Sequence, residues 1–349
     1  MNYDAILWVS FGGPEKEEDV IPFLENVLRG KNVPRERMLA VAEHYYHFGG
    51  WSPINQQNRE MIAALKAELA ARGPHLPIYW GNRNWHPLLT DTVARMKADG
   101  VKRALAFATS AYSSYSSCRQ YLENIADARI GVGDGAPLID KIRPFYNHPG
   151  YIEAMTEQVK EALAHVPSER RAAAHIVFTA HSIPLRMAEN CQYAQQLLEA
   201  SGLVSSALER AGDPLAYQSR SGPPTQPWLG PDILEHLKSI GNKGQVKDVV
   251  IVPIGFVSDH MEVLFDLDTE ARQLCEDLGL NMVRASAVGT NPGFAKMVRE
   301  LIVERMEAYS DRPSLGTLGP CRASFTEAAL LRSIKTYGFP EYVNEHPMS

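Results

Sequence analysis

Cysteine is scarce. Cys118, Cys191, Cys275 and Cys321 are the four in 349 residues, and no CxxC pair occurs among them. A secreted disulfide scaffold and a zinc knuckle both need clustered thiols, so neither fits, and a reducing cytoplasmic setting is expected. An excess of positive charge is also missing: 35 Lys and Arg face 41 Asp and Glu, a net charge of −6. That balance disfavours a nucleic-acid binder with a broad basic surface, while leaving room for a local basic site for a small anion. No stretch reaches the about 18 uninterrupted apolar residues of a membrane span, so any membrane contact would be peripheral. The N-terminal MNYDAILWVSFGGPEKEEDV lacks a basic leader and a cleavage site, and no export signal is expected. Several chemical signatures are absent as well. Without GxGxxG or GxxxxGK[ST] at a strand end, dinucleotide and P-loop phosphate sites lose support. Without GxSxG or HExxH, the same holds for a hydrolase elbow and a zincin helix.

What remains is 45% apolar and 22% charged residues, enough for packed cores in a soluble chain of two domains. Short apolar runs alternate with longer amphipathic ones, the pattern of an α/β protein with parallel sheets flanked by helices. Strands are expected at 5–11, 77–80, 104–109, 175–180, 215–217 and 249–253, with helices at 58–71 and 151–165. A faint duplication organises them. In the first half the strand-end loops are SFGGP and YWGNRN, then VKRALAF runs into SAYSSYS. In the second half they are TAHSIP and AYQSRSG, then VKDVVIV runs into GFVSDH. Three matches in one order point to two similar units, residues 1–148 and 149–309, whose loops line a central cleft. The glycine-rich 131–135 reads as a turn before the boundary, and 310–349 as a linker or loose tail. A monomer is expected.

Two constellations carry chemistry. TAHSIP delivers His181 from a buried strand into a turn, where a neutral imidazole could take a proton or bind a metal; alone, such a histidine could equally bond only its loop. In PIGFVSDHMEVLFDLDTEA, Glu262, Asp266 and Glu270 recur every four residues and would form one stripe of an α-helix beside apolar neighbours. Three carboxylates against a core are costly unless a cation or proton passes along them; a solvated acidic face is the alternative. Carboxylates with imidazole suit a divalent metal that is handled and released. A polar and aromatic set, Arg29, Ser52, Arg83, Tyr115, Tyr121 and Trp228, would suit a planar ligand with acidic substituents.

From Asp4 to Ile302 the sequence resembles the ferrochelatases, most of all those acting on coproporphyrin III. The resemblance rests on SFGGPEKEEDV, HYYHFGGWSPIN, TAHSIP, YQSRSGPPTQPWLGPD and PIGFVSDHMEVLFDLD. It implies two Rossmann-like domains around a cleft, with porphyrin and Fe2+ as substrates and coproheme as the product. It makes His181 and Glu262 the catalytic and metal-binding pair, and Asp266 and Glu270 the path behind them. Arg29, Ser52 and Tyr121 fall where propionates bind. Some members carry a tyrosine near the metal just after the first-strand loop; here that position is Glu15. Protoporphyrin IX, a cobalt or nickel tetrapyrrole chelatase and a non-catalytic carrier stay as alternatives. No tightly bound cofactor is expected. The iron–sulfur cluster of some members is not expected either, because Ala154 stands at its helix position and the tail offers only Cys321.

Overall fold

The computed structural model describes residues 2–320 apart from 32, 211, 223, 224 and 309–311. Its frame is two parallel four-stranded sheets. The first contains β1 (Ala5–Ser10), β2 (Ile78–Asn82), β3 (Arg103–Ala108) and β4 (Leu138–Lys141) in the order β2-β1-β3-β4. The second contains β5 (His175–His181), β6 (Leu215–Gln218), β7 (Asp248–Val252) and β8 (Asn281–Arg284) in the order β6-β5-β7-β8. Strand for strand the two orders are the same, so the duplication read from three pairs of loops is a duplication of topology. Helices cover both faces, which is why β1 and β7 are buried along their whole length and have no polar alternation.

All six expected strands are present within two residues at either end. β4 and β8 are additions. Each is a four-residue edge strand carrying charge, Asp140 and Lys141 in one and Arg284 in the other. No apolar run announces them. Asp140 tolerates burial because Tyr3 Oη and Arg103 Nε donate to it at 2.8 and 3.0 Å, contacts from distant parts of the chain. The glycine-rich turn leads into β4 from the helix Gln120–Val132.

The expectation of one core for each half holds only in part. One apolar cluster on β1 and β3 belongs to the first half and another on β5 and β7 to the second. The largest is common to both, joining Trp8, Phe107 and Phe145 to Tyr151, Phe178 and Phe294. The helix Pro292–Glu307 packs on Ile54–Arg72 as well as on Pro149–Ala164, and Arg299 donates to the Gly73 and Arg72 carbonyls at 2.7 and 2.8 Å. Residues 312–320, expected as a loose tail, are held down as a strap. Glu199 Oε1 accepts from the Thr317 and Leu318 amides at 2.6 and 2.9 Å, and Asn147 Nδ2 donates to the Leu315 and Gly319 carbonyls, both at 2.9 Å. The remainder of the expected tail lies outside the described residues.

Candidate active site

Three strand ends of the second sheet converge. β5 ends at His181, β6 runs into Gln218 and Ser219, and the loop after β7 carries His260 and Glu262. The loop is drawn against β5 at Gly255, whose amide donates to the Thr179 carbonyl at 3.0 Å. A Cβ on Gly255 would stand 2.5 Å from Ala180 Cβ and 2.7 Å from its Cα, so only glycine allows this approach.

His181 Nδ1 faces the Ser182 carbonyl, which assigns the proton to that nitrogen and turns Nε2 toward Glu262. Nε2 lies 3.7 Å from Glu262 Oε1. Burial pulls the imidazole down, but the Glu262 carboxylate outweighs it and pushes the ring up to about 9. Burial likewise raises Glu262, and His181 reverses this, holding the carboxyl at about 2. The resting pair at neutral pH is therefore imidazolium and carboxylate, where the unperturbed value of the sequence reading makes the ring neutral. With side chains 33% and 47% exposed, the pair is screened by water, which weakens the attraction and with it any gain in stability.

Behind the pair stands Asp266. It accepts from Ser219 Oγ and, at 3.4 Å, from Gln218 Nε2, whose amide also donates to the Glu262 carbonyl at 3.1 Å. Ser219 reaches it from a left-handed backbone with φ of 60°. Burial first, then the charges of Glu262 and Glu270, push Asp266 up to about 7. Glu270 is also raised, by burial and then by Asp232. The stripe is real, but its helix is not the α-helix expected: Leu264–Ala271 is a π-helix entered from one α-turn, Met261–Val263. Widened turns of this kind occur most often at functional sites.

The first half reaches the same place through residues the sequence reading did not single out. Gln57 Oε1 accepts the Asp259 amide at 2.8 Å. The His44 ring stacks on Phe265 with centroids 3.7 Å apart and planes 7° from parallel. Tyr45 is raised by burial and then by the charge of Glu262. His260 Nδ1 accepts the Glu262 amide at 3.3 Å and so fixes the start of the helix. His260, a residue of the second half, had a signal two residues before Glu262 in the SDHMEV segment, and His44 and Tyr45 open the HYYHFGGWSPIN stretch; Gln57, just beyond that stretch, had none.

The polar and aromatic set divides. Arg83 lies over the rings of Tyr121 and Phe11, 4.9 and 5.4 Å from their centroids, and burial lowers it despite Tyr121. Its Nε is buried without a hydrogen-bond partner. Tyr115 Oη donates to Glu123 at 2.9 Å and is pushed up to about 12 by burial and then by that bond. Arg29 is exposed and donates to Asn26 Oδ1. Ser52 and Tyr121 are buried, Ser52 under Gly13. Glu15 pairs with Arg59 at 2.6 Å. Trp228 forms a backbone bridge with Pro184 beside the His181 loop and packs on Gly222, while its Nε1 is buried without a partner.

A solved structure matches the fold. The sirohydrochlorin chelatase of Bacillus subtilis subspecies spizizenii, determined in complex with cobalt, superposes with a TM-score of 0.53 over 90% of this chain and 100% of its own, at 12% identity. That likeness gives the fold, two chelatase-type α/β units. Sequence narrows it further. The ferrochelatase family profile matches residues 3–306, and the chain belongs to that family, whose members insert iron into a porphyrin. A Rhodopirellula baltica protein named ferrochelatase is 58% identical over 318 residues, 91% of this chain and 90% of its own. A Streptomyces coelicolor coproporphyrin III ferrochelatase is 50% identical over 339 residues, again 91% and 90%. Among the described residues no helix is long and apolar enough to cross a membrane.

Proposed function

We propose that this ferrochelatase takes coproporphyrin III and returns coproheme, with His181 and Glu262 as its catalytic and metal-handling pair. The pairing of His181 with Glu262 in front of Asp266 carries the assignment of roles. The names of several relatives, among them the Streptomyces coelicolor and Nocardia farcinica proteins, support the porphyrin. Insertion releases two pyrrole protons for each Fe2+ taken up, so the site must accept protons and pass them on. A protonated His181 accepts nothing. Fe2+ arriving beside Glu262 would weaken the hold of that carboxylate on the imidazolium; the ring would then yield its proton to the carboxylate row, take the first pyrrole proton, pass it on the same way and take the second. Asp266, titrating near neutrality, loads and unloads at little cost, and Glu270 continues the row outward. Propionates fall to Arg29, with Arg83 in the same half as a second guanidinium.

This reading includes no iron–sulfur centre, which takes four thiolates. Cys118 and Cys275 are buried, Cys191 is half-buried in the turn after Leu185–Ala188, and Cys321 lies outside the described residues. The deciding experiment is iron insertion into coproporphyrin III and protoporphyrin IX side by side. We expect the larger kcat/KM with coproporphyrin III and a heavier penalty on it from Arg29→Ala; a preference for protoporphyrin IX would overturn the substrate half of the reading.

A further inference from the structure

Away from the cleft, at the outer edge of the first sheet, cationic heads outnumber carboxylates among the described residues. Asp140 on β4 is taken by Tyr3 and by Arg103, whose Nη2 stands 2.6 Å from it. Glu304 is taken in a two-pronged bond by Arg143, Nε to Oε1 and Nη2 to Oε2, both 2.9 Å. Arg143 spends further N–H groups on the Pro144 and Pro313 carbonyls, at 3.2 and 2.9 Å. Two more arginines arrive after these bonds are made. Arg305 donates through Nε to Tyr3 Oη at 3.2 Å, but its Nη2 is buried without a hydrogen bond, 3.9 Å from Asp140 Oδ2. Arg312, on the strap, comes no nearer than 3.9 Å to Glu304 Oε1. The ammonium of Lys141, also buried, donates to the Ile142 carbonyl at 3.1 Å and adds to the local positive field.

Arg143, Arg305 and Arg312 share a cavity of about 100 Å3 with Glu304, over the apolar side chains of Ile142 and Leu301. That space holds several waters or one small oxyanion. Glu304 is the carboxylate on its wall among the described residues, and Arg143 already neutralises it. A buried guanidinium N–H left unbonded is costly. The planar fork of donors that arginine presents matches the oxygen spacing of phosphate and carboxylate groups.

We propose that this cavity is a binding site for a small tetrahedral oxyanion of the phosphate class, gripped by Arg305 and Arg312 with Arg143 behind them. Because the three arginines come from the segment after β4, from the helix Pro292–Glu307 and from the strap, a bound anion ties the strap to the sheet edge. The site is separate from the metal-insertion cleft and does not depend on the substrate assigned there.

The test is calorimetric titration of the full chain with inorganic phosphate, at an ionic strength held constant with sodium chloride and without iron or porphyrin. We expect saturable binding at one site per chain and a rise in Tm that follows it. Arg312→Ala should weaken that binding at least tenfold while leaving the far-UV spectrum and iron insertion at wild-type values, because the Arg312 guanidinium forms no hydrogen bond among the described residues. Sulfate should compete and acetate should not. Absence of saturable binding, or equal affinity in Arg312→Ala, would overturn the proposal. Acetate binding as tightly as phosphate would overturn the assignment of ligand class.

Discussion

At the scale of single residues, the decisive quantity is where one proton sits. Glu262 keeps His181 charged, so removing that charge while keeping the shape releases the ring: in Glu262→Gln the imidazole of His181, followed by NMR, should titrate at least one unit lower than in the wild type. Insertion should fall by orders of magnitude in both Glu262→Gln and His181→Ala, with porphyrin affinity kept within about tenfold because remote contacts hold the ring. An unchanged His181 titration would detach the two residues from each other. Asp266 gives a second prediction, with its sign set by linkage. Its folded pKa of about 7 lies above that of an unfolded aspartate, so the folded state binds more protons between about pH 4 and 7, and stability is lost as pH rises through that window. Asp266→Asn should therefore raise Tm at pH 8 by about 1 to 2 °C, the shift for roughly 1 kcal/mol in a chain of this size. It should leave Tm at pH 4 nearly unchanged and slow turnover.

At the scale of elements, the site depends on how closely the loop after β7 is drawn to the end of β5. Gly255→Ala puts a methyl within 2.7 Å of backbone, a neighbour that cannot rotate aside. Overpacking of that kind costs about 1–3 kcal/mol, and here the displaced loop carries His260 and Glu262. Thermal melting should report the loss of stability, and kcat should fall further than stability alone accounts for; wild-type turnover in this variant would separate loop position from chemistry. The six carboxyl-end loops that the sequence pointed to, after β1, β2, β3, β5, β6 and β7, are in place because apolar runs ending in a polar or glycine-containing segment mark a strand and its exit at once. The π-helix was not legible. Its apolar spacing reads equally well as an α-helix, and the contacts that accompany the widened turn, of Asp266 with Gln218 and Ser219 and of Phe265 with His44, are none of them local.

Taken whole, the molecule is two repeats bound into one body. The shared cluster from Trp8 to Phe294 and the reach of Arg299 into the first half predict a single unfolding transition in calorimetry. The buried pair Arg143–Glu304 stands where the last helix meets the first sheet edge. Arg143→Ala strands a buried carboxylate and should destabilise by about 3–5 kcal/mol, whereas Arg143→Met combined with Glu304→Leu should recover most of that loss. Equal loss in the single and double variants would mean that packing, and not the uncompensated charge, sets the cost.

Local signals in the chain carried the fold class, the duplication, six of the eight strands found among the described residues, the family and the positions of His181, Glu262, Asp266 and Glu270. Those signals, hydrophobic period and strand-end motifs, survive without knowledge of neighbours. The raised imidazole of His181 emerges only in the fold, since its charge depends on a carboxylate 81 positions along the chain. Only the tertiary structure placed Gln57, His44 and Tyr45 at the site, buried Ser52 and Tyr121, drew the edge strands β4 and β8 and fastened the strap. In each case the deciding term is an electrostatic or packing contact between distant segments, and the free energy of such a contact is a property of the pair that no single stretch of sequence carries.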